Sequence, residues 1–274
     1  MFKYKLVASD LDGTLLNNKS EVSRENLDAI GKLSDMGVMF IPSTGRTFAE
    51  MPRLIRNNEN IRYYIYSNGT VVYDKKTGER ILNCISNETG RKVLDIAREY
   101  EVHKSFRCNG RCYVDNRFQS LEAWDYYNVC REHRVVVENF GILIEDFEEK
   151  IDNADEIEVY SFFFKNLSEK EECRRRISGI EGIAVTGVTE YNIEVFNAAA
   201  GKGNALQVLA KKLGIKAEET ISIGDSNNDS TILRASGLGL AVSNACDSLK
   251  AVADEIICSN EEHVAKFVLE KYFS

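Results

Sequence analysis

The chain begins with residue types that can carry out phosphoryl chemistry. Asp10-Leu11-Asp12-Gly13-Thr14 directly follows the apolar run Leu6-Val7-Ala8. If the backbone stays extended through Leu11, the two carboxylates point to the same side. Two converging acids repel each other and lose hydration, a cost that is usually tolerated where a metal or a reaction requires them. The alternative is an Asp-Gly turn without chemistry.

The two acids are suited to different steps of one reaction. Asp10 is the candidate nucleophile, because a carboxylate can attack phosphorus and form an aspartyl-phosphate. Asp12 can give a proton to the leaving alkoxide and later take one from water.

Two further segments offer groups that bind a phosphate. The hydroxyl of Thr44 and the N–H of Gly45 could hold a phosphoryl oxygen, since glycine allows close approach of the backbone. The alternative is a cap for a helix that starts near Thr47. Lys202 lies between Gly201 and Gly203 and could neutralise the transferred group. A surface lysine is the alternative there.

A fourth segment is rich in oxygen ligands. Asp225 and Asp229 bracket Asn227 and Asn228, a density of oxygen atoms that suits Mg²⁺. The alternative is a turn that caps the next helix. Four acids near a dianionic phosphate require compensation, and Mg²⁺ with Lys202 would supply three positive charges.

The surrounding pattern alternates short apolar strands with helices. Strands are predicted at residues 4–9, 38–41, 63–66, 220–223, 238–242 and 255–258. Helices are predicted at 23–37, with Ser23 as its cap, at 204–213, which Gly214 ends, and at 261–272. This alternation predicts a parallel sheet covered on both faces. Ligands bind beyond the carboxyl ends of such strands, so we expect the four polar segments to follow four strands and to open on one edge.

The middle of the chain has a different, hairpin-rich pattern. Asn109-Gly110 predicts a two-residue hairpin turn, and Ser168 to Glu171 predicts a capping box that opens a helix. We therefore predict a catalytic core at 1–82 and 197–274 and an inserted α+β domain at 83–196. Arg107, Arg111 and Tyr113 are candidate substrate contacts there, with solvated strand positions as the alternative.

Composition narrows the class of partner and the compartment. The 274 residues carry a net charge of −8 without a basic cluster, which argues against nucleic acid. No apolar run approaches the ~20 residues that span a bilayer. Seven cysteines without repeated spacing, and no predicted signal peptide, favour reduced thiols in the cytoplasm. We expect a small-molecule phosphoester as partner and a monomer or weak homodimer.

Four motifs, in this order, resemble the haloacid dehalogenase superfamily, and most closely its Cof-type phosphatases: Asp10-Leu11-Asp12-Gly13-Thr14-Leu15, Ser43-Thr44-Gly45-Arg46, Lys202-Gly203-Asn204-Ala205-Leu206 and Gly224-Asp225-Ser226-Asn227-Asn228-Asp229. Ser67-Asn68-Gly69 adds to the match. Ala198-Ala199-Ala200 and Ser243-Asn244-Ala245 depart from the usual motifs.

The resemblance implies a Rossmann-like core and a mobile cap domain of type C2B that closes over the substrate. It implies Asp10 as nucleophile and Asp12 as acid/base. The implied phosphate-binding residues are Thr44, Gly45, Lys202 and Asn228. The implied Mg²⁺ ligands are Asp10, the Asp12 carbonyl and Asp225, with Asp229 and Arg46 in support.

These expectations describe a Mg²⁺-dependent phosphatase that hydrolyses a small phosphorylated metabolite, such as a sugar phosphate, through an aspartyl-phosphate. One alternative is a phosphomutase, which returns the phosphoryl group to its substrate. The other is a non-catalytic phosphate-binding regulator, against which the intact Asp10, Asp12, Lys202 and Asp225 argue.

Overall fold

The chain forms two compact units. The computed structural model describes residues 2–187 and 189–274. The first unit comprises Met1–Arg46, Met51–Ile81 and Ala200–Ser274, and the second comprises Thr47–Glu50 and Leu82–Ala199. Thr47–Glu50, which sequence reasoning left in the first region, therefore groups with the second unit. That the second unit is a cap domain stays a prediction.

Regular elements alternate along both units. The strands are β1 (Leu6–Ser9), β2 (Met39–Pro42), β3 (Tyr63–Tyr66), β4 (Val71–Asp74), β5 (Arg80–Leu82), β6 (Val102–Cys108), β7 (Arg111–Asp115), β8 (Gly141–Ile144), β9 (Ile157–Phe164), β10 (Ile183–Thr186), β11 (Asn192–Asn197), β12 (Thr220–Gly224), β13 (Leu238–Val242) and β14 (Glu255–Ile257). The α-helices are α1 (Arg24–Asp35), α2 (Arg53–Arg56), α3 (Asn87–Ala97), α4 (Leu121–Tyr126), α5 (Arg131–Phe140), α6 (Phe147–Asp152), α7 (Leu167–Ile177), α8 (Lys202–Leu213), α9 (Ser230–Ala235), α10 (Asp247–Lys250) and α11 (Val264–Tyr272).

The first unit contains a five-stranded parallel sheet in the order β14-β13-β12-β1-β2. Leu6 on the interior strand β1 lies opposite Thr220 on one side and Met39 on the other. All four residues of β1 and all five of β12 are buried, as expected for strands covered on both faces. The predicted α/β fold with a parallel sheet is confirmed.

One predicted strand of that sheet belongs elsewhere. Strand β3 has the predicted bounds, but it pairs antiparallel with β4 in a separate three-stranded sheet, with Tyr63 opposite Asp74. A single parallel bridge joins Ser43 to Ile65. The physical reason is the turn at Ser67–Gly69, which reverses the chain so that β4 runs back along β3.

The second unit contains a six-stranded sheet in the order β10-β11-β9-β6-β7-β8. All its neighbours are antiparallel except β7 and β8. The predicted hairpin is confirmed: Asn109 and Gly110 have φ of 53° and 69°, the left-handed pair that a type I′ turn requires. The predicted separate region with antiparallel strands is thus present.

The predicted capping box at Ser168 is wrong. Helix α7 begins two residues earlier, and its N-cap is Asn166, whose side chain accepts a hydrogen bond from the N–H of Glu169. Ser168 lies in the first turn and donates its hydroxyl hydrogen to Asn166 Oδ1. Asparagine is as good an N-cap as serine, so its earlier position sets the start of the helix.

Helix α8 begins shortly after the chain re-enters the first unit at Ala200. This helix starts at Lys202, two residues before its predicted start. Gly214 caps its C-terminus, with the left-handed φ of 66° typical of that position.

Among the described residues, no helix is both long and apolar enough to cross a membrane.

Candidate active site

Asp10 and Asp12 occupy very different surroundings. Strand β1 ends at Ser9, and Leu11–Leu15 form a tight π-type turn in which Gly13 has a φ of 70°. The extended backbone through Leu11 that we predicted is therefore not observed. Asp10 is only 6% exposed, whereas the side chain of Asp12 is 51% exposed. The turn separates a buried acid from one that reaches solvent.

Lys202 is buried between two carboxylates. Its Nζ lies 2.8 Å from Asp10 Oδ1 and 2.6 Å from Asp229 Oδ1, and its side chain is 1% exposed. The alternative of a surface lysine is wrong. Burial alone would lower the pKa of Lys202, but attraction to Asp10 and Asp229 outweighs it and raises the pKa. The lysine is therefore held as a cation.

The loop that carries Lys202 differs from the other three polar segments. Asp10 follows β1, Ser43 follows β2 and Asp225 follows β12, all strands of the parallel sheet. Lys202 instead opens helix α8, after Gly201 with a φ of 124°. The prediction that four strands of one sheet supply the site is thus right for three segments, and a helix N-terminus supplies the fourth.

Asp225 and Asp229 have different partners. Asp229 Oδ2 accepts hydrogen bonds of 3.1 Å from the N–H groups of Asp225 and Ser226. Asp225 Oδ1 accepts one of 3.1 Å from the Thr14 hydroxyl. The turn-capping alternative therefore describes Asp229, which shapes its own loop while it holds Lys202.

The turn after β1 requires glycine next to Asp225. A Cβ on Gly13 would lie 2.6 Å from Asp225 Oδ2, far inside contact distance, and the φ of Gly13 is left-handed. Asn244 fixes the same turn from the other side, since its Nδ2 donates to the Gly13 carbonyl oxygen over 2.8 Å. Sequence reasoning treated Ser243-Asn244-Ala245 only as a departure from the family motif and missed this contact.

The site carries more negative than positive charge. Burial raises the pKa of Asp10 well above its ordinary value, and Asp229, Asp225 and Asp12 add to the rise against the attraction of Lys202. Burial, followed by repulsion from Asp229, also raises the pKa of Asp225. One lysine does not compensate this group of acids.

Three of these acids could share a metal ion. One carboxylate oxygen from each of Asp10, Asp225 and Asp229 lies within 4.8 Å of the others. Carboxylate oxygen is the preferred ligand of Mg²⁺. A divalent cation would relieve the repulsion among these acids, which contributes, after burial, to the raised pKa values of Asp10 and Asp225. The donor set therefore fits the predicted Mg²⁺.

Arg46 forms a bidentate salt bridge with the carboxylate of Asp12. Its Nε lies 2.8 Å from Oδ2 and its Nη2 lies 2.6 Å from Oδ1 of Asp12. Such a forked pair fixes the orientation of a carboxylate as well as attracting its charge. The supporting residue predicted by sequence thus contacts the exposed acid.

Thr44 and Gly45 lie beside a residue that sequence reasoning did not place in the site. Thr44 is 1% exposed, and its Oγ1 accepts a hydrogen bond from the N–H of Arg46. Asn68 is also buried, and its Oδ1 accepts a 3.4 Å hydrogen bond from Nδ2 of Asn228. The signal for Asn68 was the Asn-Gly dipeptide in Ser67-Asn68-Gly69, which marks a left-handed turn.

The helix-cap alternative for Thr44 is wrong. The chain at Thr47–Glu50 forms turns, and helix α2 begins only at Arg53. The N–H of Thr47 is bound by the side chain of Glu50. The hydroxyl of Thr44 therefore accepts the N–H of Arg46 and closes a short turn within this segment.

The chain is similar in sequence and in structure to hydrolases of one family. Residues 7–268 match the family model described as haloacid dehalogenase-like hydrolase. The chain is 32% identical to phosphatase YwpJ of Bacillus subtilis (strain 168), over 94% of this chain and 96% of that protein. It is 27% identical to the 5-amino-6-(5-phospho-D-ribitylamino)uracil phosphatase YwtE of the same organism, over 98% of both. The structure of a haloacid dehalogenase-like hydrolase from B. subtilis superposes with a TM-score of 0.81 at 28% identity and covers 97% of this chain and 99% of that chain.

Proposed function

The chain belongs to the haloacid dehalogenase-like hydrolases, and we propose that it is a Mg²⁺-dependent phosphatase. Its substrates in this proposal are small phosphorylated metabolites, namely sugar phosphates or similar monoesters. The observation that carries the proposal is the buried Lys202, held between Asp10 and Asp229 beside a third acid, Asp225. In this proposal the second unit is the cap domain.

Asp10 is the nucleophile of the proposed reaction. One of its carboxylate oxygens forms a bond to phosphorus while the bond from phosphorus to the ester oxygen breaks. The salt bridge to Lys202 orients this carboxylate and places positive charge next to the transferred group. Water then attacks the aspartyl-phosphate, releasing inorganic phosphate and regenerating Asp10.

Asp12 moves the proton in both half-reactions. It gives a proton to the departing alkoxide and takes one from the attacking water. Its half-exposed side chain is accessible to a leaving group, whereas Asp10 is buried. The two hydrogen bonds from Arg46 fix the orientation of the Asp12 side chain.

The remaining residues bind the phosphoryl group and the metal ion. Thr44, Gly45, Lys202 and Asn228 would bind phosphoryl oxygens. Asp10, the Asp12 carbonyl and Asp225 would hold Mg²⁺, with Asp229 in support. When bound, the ion supplies positive charge that stabilises phosphoryl transfer. Without it, the acids of the site would repel a dianionic substrate.

The proposal is tested by hydrolysis of p-nitrophenyl phosphate with Mg²⁺ and after chelation. We expect Mg²⁺-dependent release of nitrophenol, and turnover that is abolished by chelation and restored by Mg²⁺. No turnover with any divalent metal would contradict the proposal, and a requirement for an added bisphosphate would favour a mutase. A phosphorylated-metabolite library would then identify the substrate.

The role of Asp12 has its own test. We expect Asp12→Ala to slow both formation and hydrolysis of the aspartyl-phosphate, about 10²-fold or more, the usual contribution of a positioned acid or base. The control is Asp35→Ala, which removes an exposed acid at the end of α1. Equal single-turnover and steady-state rates for Asp12→Ala and wild type would contradict the assignment.

A further inference from the structure

The turn between β3 and β4 has an unusual backbone. Ser67, Asn68 and Gly69 follow one another with φ of 50°, 55° and 86°. L-residues rarely adopt the left-handed region, and they do so as single residues rather than in succession. Such strain persists only where surrounding contacts impose it, and it is concentrated at functional sites.

The turn is bonded to the segment that carries Thr44. The N–H of Asn68 donates to the Thr44 carbonyl oxygen over 3.1 Å, and the N–H of Ser67 donates to the Arg46 carbonyl oxygen over 2.9 Å. Between these bonds, a Cβ on Gly45 would lie 3.0 Å from Asn68 Oδ1. Both ends of this short segment are thus fixed against the turn.

The same turn packs backbone to backbone against the loop of Lys202. A Cβ on Gly69 would lie 2.3 Å from the carbonyl carbon of Gly201 and 2.7 Å from the nitrogen of Lys202. Glycine at this position is therefore required for the lysine loop to lie where it does.

A third segment meets the turn through side chains. Nδ2 of Asn228 donates to Asn68 Oδ1. The turn thereby contacts three segments that each supply a proposed phosphate-binding residue, although they are far apart in the chain: Thr44, Lys202 and Asn228.

We propose that Ser67–Asn68–Gly69 is a positioning element that holds Thr44, Lys202 and Asn228 in the arrangement required for phosphoryl transfer. This inference rests on the proposed function. Its residues act through those three and not on the substrate. Because misplacement by about 1 Å can cost about 10²-fold in rate, a small shift of this turn should affect turnover more than stability.

The first test compares two glycines with the same backbone strain. Gly78, in the turn between β4 and β5, has a φ of 76° with nothing within 4 Å of its Cβ position, whereas Gly69 meets Gly201. Gly69→Ala and Gly78→Ala therefore both strain a left-handed residue, but only the first displaces the lysine loop. We expect kcat for p-nitrophenyl phosphate to fall about 10²-fold in Gly69→Ala and to stay within about twofold of wild type in Gly78→Ala.

The second test removes the side chain of Asn68. Asn68→Gly keeps access to the left-handed backbone, and Asn109→Gly is the control, because Asn109 also has a left-handed φ of 53° in a hairpin turn. We expect kcat to fall about tenfold, at an unfolding temperature like that of the control, because Nδ2 of Asn228 loses its partner and the side chain is then held only through Oδ1, by the Ser226 hydroxyl. This variant also decides the question if Gly69→Ala fails to fold.

Binding of inorganic phosphate, measured by calorimetry, separates this inference from the proposed function. We expect the affinity to fall about tenfold or more in Gly69→Ala relative to Gly78→Ala, whether or not the wild type turns over p-nitrophenyl phosphate. The inference is overturned if Gly69→Ala and Asn68→Gly both keep wild-type kcat and phosphate affinity. It is also overturned if these two variants lose activity only in proportion to their folded fraction. If the wild-type protein binds phosphate but does not hydrolyse p-nitrophenyl phosphate, only the proposed function is contradicted. If it neither binds phosphate nor hydrolyses the ester, the proposed function and this inference are both overturned.

Discussion

Each of the two units buries a cation between two carboxylates. In the first, Lys202 lies against Asp10 and Asp229. In the second, Arg107 Nη1 lies 3.0 Å from Glu194 and its Nε lies 3.7 Å from Glu50. All of these side chains are at least nine-tenths buried. The two clusters share this burial and this composition, but Lys202 is hydrogen-bonded to both of its acids, whereas Arg107 Nε is not hydrogen-bonded to Glu50.

The surroundings of the two clusters differ. Beside Lys202, Asp225 and Asp12 add negative charge, which contributes to the raised pKa of Asp10. Beside Arg107 the other groups are neutral: burial, with Arg107 and His103 adding to it, lowers the pKa of His133, and burial raises the pKa of Cys112 to about 12. The additional acids beside Lys202, and not burial of an ion pair, therefore distinguish the candidate reaction site from the cluster around Arg107.

The position of each cluster in its sheet supports this distinction. The residues around Lys202 lie where strands end and helices begin, whereas Arg107 and Glu194 lie within β6 and β11. Arg107 is buried, so the alternative of a solvated strand position is wrong for it, and its role as a substrate contact stays a prediction.

The largest expected effect comes from removing the charge of Asp10. We expect Asp10→Asn to lower kcat about 10⁴-fold or more, since the nucleophile is lost, while the unfolding free energy is unchanged or higher because repulsion among the acids is relieved. Steady-state hydrolysis of p-nitrophenyl phosphate and thermal unfolding measure both quantities. Substantial turnover by this variant would remove the difference between the two clusters.

The matching change in the second unit should affect stability. We expect Arg107→Met to cost about 3–5 kcal/mol of unfolding free energy, because Glu194 and Glu50 are left buried without their cation. Urea unfolding followed by fluorescence of Trp124, the one tryptophan of the chain, reports on this unit. The control is Arg111→Met on the exposed side of β7. Similar unfolding midpoints for both variants would show that the Arg107 cluster contributes little.

Acid should weaken the second unit through His103. Burial lowers the pKa of this fully buried histidine to about 4, against the opposing attraction of Asp115. The unfolded chain takes up the proton near pH 6.5 and the folded unit only near pH 4, so up to about 3 kcal/mol of stability is lost as the pH falls between those values.

The test of this pH dependence is the variant His103→Phe, which suits a site whose nearest rings include Phe118, Tyr127 and Phe163. Trp124 fluorescence during urea unfolding at several pH values measures the dependence. We expect a shallower loss of stability in the variant below pH 6.5. Equal slopes in variant and wild type would contradict the role of His103.

The smallest expected effect is stabilisation by Mg²⁺. At a concentration 100 times its Kd, the ion should raise the unfolding free energy by about 2.7 kcal/mol, provided it binds only the folded state. Asp225→Asn should abolish this increment, whereas Glu194→Gln should retain it, because Asp225 belongs to the group of acids that could share a metal ion and Glu194 does not. Thermal unfolding with and without Mg²⁺ measures it, and an increment that survives in Asp225→Asn would place the ion elsewhere.

Local sequence signals predicted those features that local chemistry controls. Ser23 caps α1, Gly214 ends α8, and Asn109-Gly110 makes the hairpin turn, as expected from residues whose backbone or hydrogen-bonding preferences act over a few positions. The signal failed where two candidates competed, as at Asn166 and Ser168. It also failed for β3, whose sheet partner depends on the turn that follows.

The sequence by itself determined the parallel-sheet fold, the family and the acids and lysine of the candidate site, because these follow from periodicity and from motifs in a fixed order. Only the tertiary structure decided which carboxylate is buried, which acids Lys202 and Arg46 contact, and that the turn at Ser67–Gly69 touches three segments of the site. Those facts depend on contacts between residues far apart in the chain, and the free energy of such contacts depends on burial and distance, which the order of residues does not specify.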